Sequence, residues 1–334
     1  MEKKEIIKTF AIQSNKTPVR NNSTSGGTFY ELAIRMIEMG TYVCAAGFDS
    51  SGRVVHKIVN TRKGLLKLLG SKYVQSDLRD SFRKIKILLN KGYRVLFVGT
   101  PCQVMGLKSF LVDEYDSLFT IDLVCFGVPS PKLYESWLNA ISINEKKQMI
   151  RINFRDKSFG YAAPNVKVYF SDGSSVEQNS LVKSYMKFFM EGLSVRPSCT
   201  KCAFKGPQRV SDITLGDCWH IGNFDKRMDD NIGTTAAFVH STKGMEMLHM
   251  IADRVRMRSI STDKEIELDA KKMIISVTEN EKRHAFLLDA NTLGYFDVLK
   301  KWNHSSLKDN AITFVKRVFK NIFFLRIALK WLRK

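Results

Sequence analysis

Arg94-Val95-Leu96-Phe97-Val98-Gly99-Thr100-Pro101-Cys102 is a short, continuous apolar run that breaks at Gly-Thr-Pro. An unbroken apolar run reads as a strand buried on both faces. Pro101 suits the first position of a helix, and Val104, Leu107 and Leu111 supply its stripe. The pattern repeats from Phe119 to Phe126. It ends in Cys125-Phe126-Gly127-Val128-Pro129-Ser130 and passes into a helical stripe through Leu133, Trp137 and Ile141. Two buried strands, each opening into a loop and a helix, predict a parallel α/β unit, in which ligands sit beyond the carboxyl ends of the strands. Cys102 and Cys125 both fall there.

Upstream, the polar stretch Asn21 to Gly27 reads as a loop entering a helix through Phe29, Leu32, Ala33, Met36 and Ile37, which Gly40 stops. Tyr42 to Phe48 and Arg53 to Val59 read as strands around Asp49-Ser50-Ser51-Gly52. Leu78, Phe82, Ile85, Leu88 and Leu89 stripe a helix ended by Gly92. Downstream of Ile150 the pattern alternates, with strands at Ile152 to Arg155 and Val166 to Phe170 near the turn Ser171-Asp172-Gly173. A helix follows near Tyr185 to Met190. Phe314, Val315, Val318, Ile322, Leu325, Leu329 and Leu332 form the apolar side of a basic amphipathic helix, which docks on the domain, on an acidic membrane or on a partner. The expected fold class is α/β: parallel strand-helix units, then an α+β section, then this helix. The expected divisions are residues 1–145, 146–310 and 311–334.

With 334 residues, 44% of them hydrophobic, the chain can bury one large core or two modest ones. Its net charge of +20 argues for anionic partners. The stretch Lys316 to Lys334 carries seven Lys or Arg and no acid, and the remaining excess is spread over the body. An acidic membrane surface is one candidate partner for that tail. No recognisable nucleic-acid module is present, so nucleic acid is not an expected partner. Charges at Glu2, Lys3, Lys4 and Glu5 without a following apolar core argue against a signal peptide, and no uncharged run is long enough to span a bilayer. The expected location is the cytoplasm, peripheral at the inner face of the membrane if the tail binds there. In that reducing compartment six cysteines point to metal, cofactor or redox chemistry rather than disulfides.

Cys199-Thr200-Lys201-Cys202 is a C-x-x-C, a spacing that presents two thiolates to one metal or to each other. Arg196, Lys201, Lys205 and Arg209 surround it, and positive charge favours the thiolate. Structural zinc would more often bring a second C-x-x-C or a histidine pair, whereas the six histidines are scattered. Cys102 opens a helix, at the positive end of the dipole. Cys125 ends a neighbouring strand. For each of these two alone a buried small hydrophobe is an equal reading. Cys44, inside an apolar strand, and Cys218, before Trp219, are left out of the site. His220 beside Trp219 reads as core or surface. Ser23 to Thr28 offers amides and hydroxyls at a helix start, a seat for phosphate or an ordinary loop.

These residues fall into an ordered set. It comprises Ser25-Gly26-Gly27 with its helix, Gly99-Thr100-Pro101-Cys102-Gln103, Cys125-x-Gly127-x-Pro129-Ser130 and Phe154-Arg155-x-Lys157-x-x-Gly160-Tyr161. Arg196-Pro197-x-Cys199-x-x-Cys202 and Asp212-Ile213-x-x-Gly216-Asp217-x-Trp219 complete it. Over residues 20–240 the set resembles the coenzyme F-420 hydrogenase/dehydrogenase beta-subunit family. With no cysteine before Cys44, it resembles a short form without the amino-terminal ferredoxin-like segment of many relatives.

The resemblance implies a flavin, FAD or FMN, in the 1–145 part and one 4Fe-4S cluster held by Cys102, Cys125, Cys199 and Cys202. It makes Ser25, Gly26, Gly27 and Thr28 part of the flavin seat. Arg155, Lys157, Arg209, Asp212 and Asp217 become flavin-side groups or structural ion pairs. It assigns no catalytic residue. The implied activity is a flavin-dependent iron–sulfur oxidoreductase that transfers electrons between a low-potential donor and a hydride-type acceptor. The donor would be an electron-donor protein, a reduced nucleotide or a deazaflavin. The acceptor would be deazaflavin-like or a biosynthetic intermediate, including one of surface-polysaccharide synthesis. The alternative is a non-catalytic, zinc-stabilised binding or scaffold protein.

Overall fold

The computed structural model describes residues 4–303, so the tail expected over residues 311–334 lies outside the described residues. The chain forms β1 (Lys8–Ser14), β2 (Tyr42–Phe48), β3 (Val54–Val59), β4 (Val95–Gly99) and β5 (Leu118–Leu123). A second sheet follows, of β6 (Met149–Asp156), β7 (Asn165–Phe170) and β8 (Ser175–Glu177). The chain then returns to the first sheet with β9 (Ile213–Asp217), β10 (Thr235–Val239) and β11 (Val255–Ile260). The first sheet runs β11-β1-β10-β9-β5-β4-β2-β3. Its centre, β2-β4-β5-β9, is parallel, and antiparallel strands close both sides. The fold is therefore the expected α/β class, and its main sheet draws strands from both sides of residue 146.

The apolar run of β4 is buried throughout, because helices cover both faces of the sheet. Leu96 and Val98 face one core, with Leu32, Ala33 and Met36 of the helix Thr28–Glu38 and Met247 and Leu248 of the helix Thr242–His249. Val95 and Phe97 face the other. There Ile85 and Leu89 of the helix Ser81–Asn90 and Val104, Leu107 and Leu111 of the helix Pro101–Leu111 pack against them. This alternation is the two-residue period of a strand. Cys44 lies in the second core, where burial pushes its thiol up to about 12, as befits a packing residue.

The second sheet packs on the helices Pro131–Glu145, Ser180–Met190, Arg283–Thr292 and Tyr295–Trp302. Trp137 stacks on Tyr185 at 4.8 Å and donates its indole N–H to the carbonyl of Leu181 at 2.9 Å. Strand β1 had no signature in the sequence pattern, yet it lies between β10 and β11 and is buried from Thr9 to Ser14. Among the described residues no helix is long and apolar enough to cross a membrane.

Candidate functional site: a cleft and a cysteine group at the strand ends

The parallel strands β2, β4, β5 and β9 all end at one cleft of about 340 Å³. Ala45 and Ala46, Val98 and Gly99, Leu123, and Leu215 to Asp217 bring the four strands to its floor. That is where an open α/β sheet binds ligands, and the volume falls in the range of small-molecule sites, roughly 300–1,000 Å³. The loop Ser23 to Ser25 and the start of the 28–38 helix form one wall, Leu68 to Val74 another, and Arg155 and Phe189 of the second lobe a third.

The loop before the 28–38 helix is pinned across the sheet. Gly26 N–H donates to Thr235 Oγ1 at 2.9 Å, and Ser14 N–H donates to the Gly26 carbonyl. A Cβ on Gly26 would lie 2.1 Å from the Ile12 carbonyl oxygen and 2.7 Å from Thr235 N, so glycine alone fits. Ser25 donates to Asp217 Oδ1 at 2.8 Å, and Tyr161 donates to the same oxygen at 3.0 Å. Arg155 donates to Asp217 Oδ2 at 2.9 Å and to the Tyr73 hydroxyl at 3.0 Å. Its guanidinium lies 4.6 Å from the ring centre of Trp219, which stacks on Tyr161 at 4.2 Å. One carboxylate thus ties the expected loop, Arg155 and an aromatic pair together.

The cysteine group is built by a second tie. Arg196 N–H donates to the Val128 carbonyl at 2.9 Å and Ser130 N–H to the Ser194 carbonyl at 3.2 Å, which clips the loop after β5 to the segment carrying the C-x-x-C. Gly127, at φ +153°, approaches so closely that a Cβ there would lie 3.2 Å from Cys199 Cβ and 2.9 Å from Val195. Cys125 lies within electrostatic reach of Cys102 and Cys199, and Cys199 within reach of Cys102 and Cys202. All four are free thiols, with Cys102 exposed at the start of the 101–111 helix and the others part-buried. Lys205 donates to the carbonyls of Cys125 and Lys272, and Cys202 N–H donates to Ser276 Oγ at 3.1 Å.

The cations around the C-x-x-C do face the thiols, Lys205 toward Cys125 and Cys202 and Arg196 toward Cys199. At Cys125 and Cys199 their effect on ionisation is too small to decide the outcome, however. Burial outweighs them, pushing Cys125 up to about 12 and raising Cys199.

Ser25, Gly27, Thr28, Arg155, Asp217 and Cys125 line the cleft. Lys157 stands behind its wall, donating to the carbonyls of Arg20, Ser25 and Ile232, and burial beside Arg20 pushes it down to about 7. Arg209 lies beneath the cysteines, facing Asp122 at 3.4 Å and donating to the Met273 carbonyl. Asp212 accepts from Thr120 and Ser241 inside the sheet. The sequence reading missed His56 and Lys72, which also line the cleft. His56 Nε2 meets the Val98 carbonyl at 3.1 Å, and burial pushes the ring down to about 4. Lys72 donates to the carbonyls of Leu68 and Leu69. Neither sits in a recognisable motif, so only the fold could find them.

A comparison with curated proteins found no match. Among solved structures the chain is similar to a chain of the F420-reducing NiFe hydrogenase complex from Methanosarcina barkeri, a xenon derivative. The TM-score is 0.55 and the identity 17%, over 81% of this chain and 89% of that one. At that identity the likeness carries the fold. A family model, that of the C terminus of the coenzyme F420 hydrogenase/dehydrogenase beta subunit, matches residues 92–265, which hold β4, β5, β9 and all four expected cysteines. With more than half of its length matched, and with oxidoreductase character following from the match, the chain belongs to the coenzyme F420 hydrogenase/dehydrogenase beta-subunit family.

Proposed function

We propose that this protein is a flavin-dependent iron–sulfur oxidoreductase that moves electrons between a low-potential donor and a hydride-type acceptor. The observation that carries the reading is the position of Cys125, which both lines the cleft and lies within reach of Cys102 and Cys199. A single loop thus serves a ligand cleft and a thiol group, the adjacency that coupled redox centres need.

The residues present fit both cofactors. Thr28 Oγ1, His56 Nδ1 and Arg155 Nε and Nη2 are buried without hydrogen-bond partners, and all three side chains line the cleft. Buried polar atoms are normally satisfied, and a ring system with polar edges, such as a flavin, FAD or FMN, would satisfy these. Ser25, Gly27 and Thr28, at the amino end of the 28–38 helix, would hold its phosphate. Four unpaired thiols contributed from both sides of residue 146 would hold one 4Fe-4S cluster.

A bound flavin exchanges a hydride and releases single electrons, which a cluster relays one at a time. The chain's own part is positional. Arg155, fixed by Asp217 and Tyr73, places positive charge against the cleft, where negative charge on a reduced ligand would be stabilised. Trp219, stacked on Tyr161, also lies against the Arg155 guanidinium.

The donor we propose is an electron-donor protein, a reduced nucleotide or a deazaflavin. The acceptor is deazaflavin-like or a biosynthetic intermediate, with surface-polysaccharide synthesis as one setting. The proposed location is the cytoplasm, and the inner membrane face if the tail binds there. The test is the absorption spectrum of protein purified without oxygen. Flavin bands and a broad shoulder near ~400 nm that bleaches with dithionite support the reading. Colourless protein, without flavin bands or a bleachable shoulder, contradicts it.

A further inference from the structure

Cys218 follows β9 directly and is fully buried. Its Sγ lies 3.4 Å from Oε2 of Glu265, a residue of the helix Thr262–Leu268 that is also fully buried. Asp269 follows that helix with its side chain 1% exposed. The thiol sulfur and one oxygen of each carboxylate lie within 4.8 Å of one another.

Three ionisable groups of the same sign, buried this close, need compensation. The charged groups that act on Glu265 are Asp269 and Asp217, and those that act on Cys218 are Glu265, Asp269 and Asp217, all of them acids. Glu265 Oε1 is buried and has no hydrogen-bond partner, although its sister oxygen meets Cys218. Asp269, in contrast, is held in place by His220, whose backbone N–H donates to Oδ2 at 2.9 Å and whose Nδ1 meets Oδ1 at 2.7 Å. A carboxylate oriented by hydrogen bonds from outside is the usual support of a metal ligand.

We propose that Cys218 Sγ, Glu265 and Asp269 form a second metal site, separate from the four cysteines, for a single divalent cation of the zinc class. A thiolate with two carboxylates suits an ion of borderline softness. Zn–S of about 2.3 Å and Zn–O of about 2.0–2.2 Å set the ligand atoms of a tetrahedral site roughly 3.4–3.6 Å apart. The 3.4 Å between Cys218 and Glu265 already meets that spacing. Three protein ligands leave a fourth position open. Asp269 also lines the cleft, so the ion would lie against the same cavity.

The test uses the full-length protein purified with its iron, dialysed against micromolar Zn²⁺ and analysed for zinc and iron by mass spectrometry. The wild type is expected to hold one zinc per chain. Glu265→Gln and Cys218→Ser should each lower zinc more than tenfold and leave iron unchanged, so that the result stands apart from the fate of the cluster. Added Zn²⁺ should also raise the thermal midpoint of the wild type and leave that of Glu265→Gln where it was, a readout that holds if Cys218→Ser fails to fold. Zinc absent from the wild type, zinc equal in wild type and Glu265→Gln, or the same Zn²⁺-induced shift in both would overturn the proposal.

Discussion

Two groups of metal-ligating side chains lie against one cleft and differ in the charge around them. The group of Cys102, Cys125, Cys199 and Cys202 faces Lys205, Arg196 and Arg209, whereas Cys218 and Glu265 face acids. Thiolates around a cluster make an anionic unit, which basic neighbours stabilise. A buried set of one thiol and two carboxylates instead favours a bare cation. The surrounding charge thus sets the two groups apart, as ligand type does.

The largest effect expected from breaking this arrangement comes from Asp217, which precedes Cys218 and lines the cleft. Asp217→Ala leaves the buried Arg155 guanidinium without its ion pair and frees Ser25 and Tyr161. Stability should fall by about 4 kcal/mol in urea unfolding, and bound flavin should be lost.

Asp122 sharpens the basic side. Burial, opposed by Arg209, raises it to about 6 from 3.8, so the folded protein holds that proton more tightly than the unfolded chain. Its contribution to stability is therefore full below about pH 4 and is lost as pH rises through 6, on the order of 3 kcal/mol. Unfolding measured from pH 4 to 7 should show this slope, and Asp122→Asn should flatten it.

Gly127→Ala is expected to cost about 2 kcal/mol, from a strained φ and from contact with Val195 and Cys199, and to lower iron content. Unchanged iron would show that the clip between the two cysteine segments tolerates displacement. The smallest effect is electrostatic. Lys205→Met removes a cation from beside Cys125 and Cys202, and potentiometry should record a reduction potential lower by on the order of 50 mV, about 1 kcal/mol for one electron.

Local pattern made three of the four parallel strands, β2, β4 and β5, legible. The runs at Val95–Gly99 and Leu118–Leu123 and the helices after Pro101 and Pro131 carry their own periodicity, and these strand ends set Cys102 and Cys125. Strands β1, β9, β10 and β11 were not legible, because they are held by partners far along the chain, β1 by β10 and β11 and β9 by β5, rather than by a local signal. The same holds for chemistry. Cys199 and Cys202 announce themselves by spacing, and Ser25 and Asp217 by the order of motifs, although the hydrogen bond that joins the last two spans 192 residues. His56 and Lys72 do not stand out until the fold brings them to the cleft. Cys218 falls outside the expected site because Glu265, its partner, lies 47 residues away.

The central claim, one cluster on four cysteines beside a ligand cleft, is tested most directly by iron and acid-labile sulfide content of anaerobically purified single variants. Cys102→Ser, Cys125→Ser, Cys199→Ser and Cys202→Ser should each lose most of both, while Cys44→Ser, changed inside the core, keeps them. Iron and sulfide that survive all four changes would contradict the account.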